Sequence, residues 1–203
     1  MLDVISQFIP NFLLALRVNF GIAFFALLGG LIAGGALTAA YLRPGWPQRC
    51  SRTLLNLMRA APTFVLMFFL LNTLPRDSGS GLLNWTPYLS VVLSLAVYAA
   101  AYVCDNALEC VHQWRAGSRA AALLFLMSLV RAFFVMVLSS GFGAAVGVVE
   151  ATSVTLRMLE QLKSPGDRIV LMLVAISIFM VMFQLIYWAI QRVRQDILRR
   201  LRA

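Results

Sequence analysis

Residues 101–122 read AYVCDNALECVHQWRAGSRAAA. The stretch begins as small, apolar membrane helix, passes the acids Asp105 and Glu109, turns at Arg115-Ala116-Gly117-Ser118-Arg119 and re-enters alanine-rich helix. Two apolar helices joined by a basic turn mark the side of a bilayer on which positive charge is retained, so this turn is expected to face a soluble partner there. Composition supports a membrane around it. Of 203 residues, 61% are hydrophobic and only 12% charged, more apolar surface than a soluble globule of this size buries. The formal charge of +9 would suggest nucleic acid in a soluble protein. Here the basic residues lie between and after apolar runs, as orientation charge with some attraction for anionic membrane lipid, and no nucleic-acid partner is expected.

Downstream of the turn, residues 120–149 are almost unbroken apolar or small, with Arg131 the lone charge. That exceeds what one crossing of a ~30 Å hydrocarbon core requires, so its beginning suits a short interfacial helix and the remainder a fourth span. Residues 150–168, EATSVTLRMLEQLKSPGDR, read as an outer loop. A fifth span over about 169–190 leads into a basic tail, 191–203, where Arg192, Arg194, Arg199, Arg200 and Arg202 hold the C-terminus inside. Upstream, the third span covers about 88–109, and Asp105 and Glu109 at its end lie one turn apart, a spacing that suits either a proton or cation site or a hydrated helix end. Residues 75–87, PRDSGSGLLNWTP, read as an outer loop, with Trp85 and Tyr88 at headgroup level. The second span, about 53–74, has Arg59 and Pro62 near its start and follows the basic, proline-broken loop RPGWPQRCSR, residues 43–52. The first span, about 18–41, carries Ala26, Gly30, Gly34 and Thr38 at four-residue spacing, a small stripe against which another helix packs closely. Residues 1–16 read as an amphipathic interfacial helix rather than a signal peptide. The expected fold class is all-α: a single-domain polytopic membrane protein with about five transmembrane helices, its N-terminus outside and its C-terminus inside.

Enzyme chemistry finds little to work with. His112 is the only histidine, which excludes a multi-histidine metal site. Ser139-Ser140-Gly141 would need a helix-borne histidine to make a protease dyad, and His112 precedes it in a basic loop. Without a phosphate-cradling glycine loop the chain has no such route to ATP, so energy coupling would come from a partner. Cys104 and Cys110 sit six residues apart and Cys50 lies in a loop, so neither a disulfide nor a metal motif is expected.

Four segments carry a resemblance. Arg59-Ala60-Ala61-Pro62-Thr63 leads into Phe64-Val65-Leu66-Met67-Phe68-Phe69; Ala101-Tyr102 is followed by Asp105; then come Gly117-Ser118-Arg119-Ala120-Ala121-Ala122 and Glu150-Ala151-Thr152-Ser153-Val154. In this order they resemble the membrane-spanning permease subunits of ABC importers, in the polar amino acid uptake branch. The corresponding family segments are Arg-Gly-Thr-Pro before an apolar run ending in paired aromatics, Ala-Tyr-x-x-Glu, Gly-Gln-x-Glu-Ala-Ala and Lys-Asp-Thr-Ser-Leu. The similarity covers almost the whole chain. The family's Gln and Glu are here Ser118 and Ala120, its later Gly is Leu126, the Pro of its Leu-Pro pair is Ser139, and the Arg after its acid is Leu108. Between Ser139 and Glu150 the chain is shorter by roughly two helical turns.

The resemblance implies an ABC importer permease-like bundle that is a transport subunit and not an enzyme. Arg115, Gly117, Ser118, Arg119, Ala120, Ala121 and Ala122 would form the loop that docks an ATPase, and Gly117→Trp would abolish coupled uptake while leaving insertion intact. Arg59, Pro62, Asp105, Thr152 and Ser153 would lie along the translocation path or its gates, a helix cap being the other reading of the hydroxyl pair. Expected partners are an ATP-binding subunit that carries the ATP and Mg, a second permease subunit in a heteromeric pair, and a periplasmic substrate-binding protein. This chain itself would bind no cofactor. The location implied is a bacterial inner membrane and the cargo amino acids or similar small polar solutes. The alternative is a permease-like scaffold or regulatory subunit, or a small-solute channel, with no ATPase attached.

Overall fold

The computed structural model describes residues 2–73, 86–118 and 121–202, and these are helical with no strand. Seven α-helices follow one another: α1 (Leu2–Tyr41), α2 (Trp46–Ala60), α3 (Thr63–Thr73), α4 (Pro87–Arg115), α5 (Ala121–Ser139), α6 (Ala151–Gln161) and α7 (Pro165–Arg202). A 3-10 helix, Ser140–Val146, prolongs α5. Among the described residues four helical segments are long and apolar enough to cross a bilayer, and a fifth span results if α2 and α3 are taken together. The protein is a multi-pass membrane protein.

The chain divides into two compact units, residues 15–153 and residues 1–14 with 154–203. In the larger unit the small stripe of α1 meets α4. Ala26, Gly30, Gly34 and Thr38 are all buried. A methyl group added at Gly34 would lie 2.6 Å from the Ala100 carbonyl oxygen and 2.8 Å from Val103 Cβ, and one at Gly30 would overlap Ala99. Only glycine permits this approach of two backbones.

The same contacts set direction. Gly21 lies against Tyr88, Gly29 against Ala96, Gly30 against Ala99 and Gly34 against Val103, so α1 and α4 run parallel. Parallel neighbours require the chain to return between them. The bent pair makes that return: Arg59 bonds Asp105, whereas Thr63, Phe64 and Met67 share a cleft lining with Val91, Ser94 and Leu95. From α2 into α3 the α4 neighbours fall back from Asp105 to Val91, Ser94 and Leu95, so the bent pair as a whole runs counter to α4.

In the smaller unit, Phe8 and Phe12 are fully buried. The Phe12 ring meets Phe179 of α7 edge-on, with centroids 5.4 Å apart. This packing bears on residues 1–16, expected as a separate interfacial helix: α1 runs through them and through Pro10 without a break. Tertiary contacts at Phe8 and Phe12 hold the turn that a proline weakens.

Three other boundaries differ from those expected. The segment over 53–74 is not one straight span, since α2 and α3 meet at 94°. Ala61, before Pro62, is extended at φ −74 and ψ 114, because the proline ring excludes the helical conformation from the residue that precedes it. The beginning of 120–149 is no separate interfacial helix, as α5 is continuous from Ala121 to Ser139. Residues 150–168, expected as a loop, hold α6.

Candidate functional site

The turn between α4 and α5 is built by one glycine. Gly117 has φ +89, a left-handed conformation that a side chain disfavours. Its N–H donates to Trp114 O at 2.9 Å and the Ser118 N–H donates to Gln113 O at 3.0 Å. This paired pattern is a Schellman cap, which satisfies the last carbonyls of α4. Arg115 and Ala122 are exposed, Ala121 is buried, and Arg119 and Ala120 lie outside the described residues. Trp114, Gly117, Ser118 and Ala122 line a cleft of about 310 Å³. Trp114 is 69% exposed on its wall. A large aromatic beside a small-residue turn offers both an anchor and close backbone approach. Gly117→Trp would break the cap itself, so its effects on the turn and on docking would not separate.

A second locus joins the end of α2 to α4. Arg59 Nε donates to Asp105 Oδ2 at 3.2 Å, Arg59 Nη2 donates to Asp105 Oδ1, and Arg59 Nη1 donates to Asn56 Oδ1 at 3.1 Å. The fork engages both carboxylate oxygens and fixes the end of α2 to α4. Its side chains are about half exposed, so it positions more than it stabilises. Pro62 forms the bend beside it, and its carbonyl accepts from Leu66 N at 3.0 Å, starting α3. Glu109 does not join this pair; its carboxylate accepts from Gln113 Nε2 at 2.8 Å. Among the described residues no group of three His, Cys, Asp or Glu is placed to hold a metal.

The third locus was only partly visible in the sequence. Glu150, the residue before α6, is fully buried. Its carboxylate accepts from Thr152 N and Ser153 N, each at 2.9 Å, and from Asn19 Nδ2 at 2.8 Å. Ser153 Oγ in return accepts from Glu150 N at 2.9 Å, a reciprocal cap with the acid first and the hydroxyl third. Asn19 Nδ2 also donates to Ser140 Oγ at 2.8 Å, and Asn19 Oδ1 accepts from Ala151 N at 3.0 Å. Three N–H donors and a helix N-terminus compensate the desolvated carboxylate. Ser153 is therefore built into a cap, and Thr152 Oγ1 stands 2.7 Å from where a methyl on Gly141 would be. Asn19, Ser140 and Glu150 were not among the expected site residues.

No family model and no curated protein matches the sequence. Solved structures do. One is a chain of an amino acid ABC transporter whose crystal structure was determined with histidines, at TM-score 0.75 and 17% identity over 95% of this chain and 96% of that one. The chain has an ABC importer permease-like fold. A second is a chain of the MetNI methionine ABC transporter in an inward-facing conformation, at TM-score 0.64 and 18% identity over 96% of this chain and 97% of that one. At these identities the likeness is one of fold, and it is end to end.

Proposed function

We propose that the protein is the membrane-spanning permease subunit of an ABC importer for amino acids or similar small polar solutes. The observation that carries this reading is the end-to-end superposition on a chain of an amino acid ABC transporter at TM-score 0.75. The cap at Gly117 and the Arg59–Asp105 fork add to it, since both fall on segments that resemble the permease motifs.

In this reading the α4–α5 turn is the coupling loop. It faces the cytoplasm, and Trp114, Ser118 and Ala122 seat in a groove of an ATP-binding subunit that carries ATP and Mg. Closure of two ATPases rocks this bundle against a second permease chain, exposing the path to each side in turn. Arg59 and Asp105 stiffen the bend at Pro62 during that motion. The N-terminus lies outside and the C-terminus inside a bacterial inner membrane, because eleven of the seventeen basic residues then fall on the inner side, Arg131 lying within α5. A periplasmic binding protein delivers the solute.

A second reading, a permease-like scaffold without an ATPase, draws on the start of α5. Leu124 and Leu126 are exposed there, 53% and 51% accessible, and Leu126 stands where the family has glycine. Uptake decides between the two. Cells lacking the chain are supplied with wild type or Ala122→Trp, and entry of a labelled amino acid panel is measured. Ala122 lines the cleft but takes no part in the Gly117 cap, so the variant tests docking alone. Loss of uptake with normal membrane levels supports the permease; uptake indifferent to the chain's presence contradicts it.

A further inference from the structure

α2 has two apolar faces, and the bundle uses one. Ser51 and Leu55 are buried, Leu55 packing with Ala101 and Cys104, and Ser51 Oγ donates to Leu37 O at 2.8 Å, which pins α2 beside the last turns of α1. On the other side, Trp46, Leu54 and Leu57 are 77%, 47% and 62% exposed, and Cys50 is exposed with them. Positions 46, 50, 54 and 57 follow the four-and-three spacing of a single helical stripe. Arg49 and Arg52 lie exposed on the adjoining face. Arg59, also basic, is committed to Asp105.

Direction supplies the second observation. α3 packs beside the crossing helix α4, α2 meets α3 at 94° and Ser51 of α2 is held at Leu37 of α1, so α2 lies near the plane of the bilayer at the end where α1 finishes. From Leu42 to Thr73 the sequence has four arginines and no acid. An in-plane helix with an aromatic and leucine stripe below and, above it, arginines that have no acid partner among the described residues has the chemistry of a headgroup–acyl boundary.

We infer that α2 is an interfacial helix that recognises anionic phospholipid. Trp46, Cys50, Leu54 and Leu57 enter the acyl region of the leaflet, and Arg49 and Arg52 hold lipid phosphates. The lipid thereby steadies the bend at Pro62 from outside the protein. The occupant is lipid rather than a protein chain because the stripe is flanked by uncompensated positive charge at membrane level.

The test uses the full chain with Cys110→Ser in vesicles of phosphatidylethanolamine and phosphatidylglycerol. A nitroxide is placed on Cys50, or, with Cys50→Ser added, on Leu54→Cys or Arg52→Cys. Collision with dissolved oxygen, which favours hydrocarbon, is compared with collision with a water-soluble nickel chelate. Labels at 50 and 54 are expected to favour oxygen and the label at 52 the chelate. Enrichment of spin-labelled phosphatidylglycerol around the protein should fall about fivefold for each of Arg49→Gln and Arg52→Gln. Chelate access at 50 and 54 would place α2 in water and overturn the inference. Exclusion of both reagents, indicating a covering protein chain, would overturn it too, as would unchanged lipid enrichment in both variants.

Discussion

Gly34 has no side chain because the α4 backbone occupies its place, with the Ala100 carbonyl oxygen 2.6 Å from where a methyl would stand. Gly34→Leu is expected to lower stability by about 1–3 kcal/mol through overpacking, read as an earlier thermal transition in detergent. An unchanged midpoint would mean that α1 and α4 separate at little cost. Gly35, where a methyl meets nothing within 4 Å, is the control. Ser90 poses the opposite case, a buried hydroxyl with no hydrogen-bond partner among the described residues. Ser90→Ala removes an uncompensated polar atom and should raise stability by about 1 kcal/mol or more, read as a later thermal transition. The glycine stripe was legible because four-residue spacing maps directly onto one helix face. Glu150 was not, since a lone acid in a mixed-sign stretch resembles a loop residue, and its partner Asn19 is 131 positions away.

Among the elements, the α2–α3 bend depends on local chemistry and on one long-range fork. Pro62 was visible as a residue near a span's beginning, but its effect was not. Whether a proline kinks a helix or ends it depends on what holds the two halves, here Arg59 on Asp105 and Leu55 in the Ala101–Cys104 cluster. Arg59→Asp or Asp105→Arg alone places like charges together and should shift the bend, lowering both the midpoint and the yield of folded protein. The exchanged pair Arg59→Asp with Asp105→Arg should recover most of the loss. Failure to recover would mean that the residues act separately. α6 carries a similar lesson. Its cap is supplied by Glu150 and Ser153, so Glu150→Leu leaves Thr152 N, Ser153 N and Asn19 Nδ2 short of an acceptor and should cost about 1–3 kcal/mol or more. Hydrogen exchange of the first α6 amides would locate that loss.

For the whole molecule, length and hydropathy already implied about five crossings, because an apolar run needs only its own composition to be recognised. The parallel pairing of α1 and α4 explains why the chain has to return between them, with the short, broken α2–α3 pair on that return. The continuity of α1 through Pro10 was hidden, as it rests on Phe12 packing with a helix at the other end of the sequence and on Phe8 buried beside it. The central claim is that this end-to-end fold serves as half of an ATP-driven importer. Its most direct measurement is purification of the tagged chain in mild detergent from its native host, with mass spectrometry of what stays bound. The account predicts an ATP-binding subunit and a second permease-like chain in stoichiometric amounts, the ATP-binding subunit being lost with Ala122→Trp. Recovery of the chain without any ATPase would contradict it and leave the permease likeness as one of fold alone.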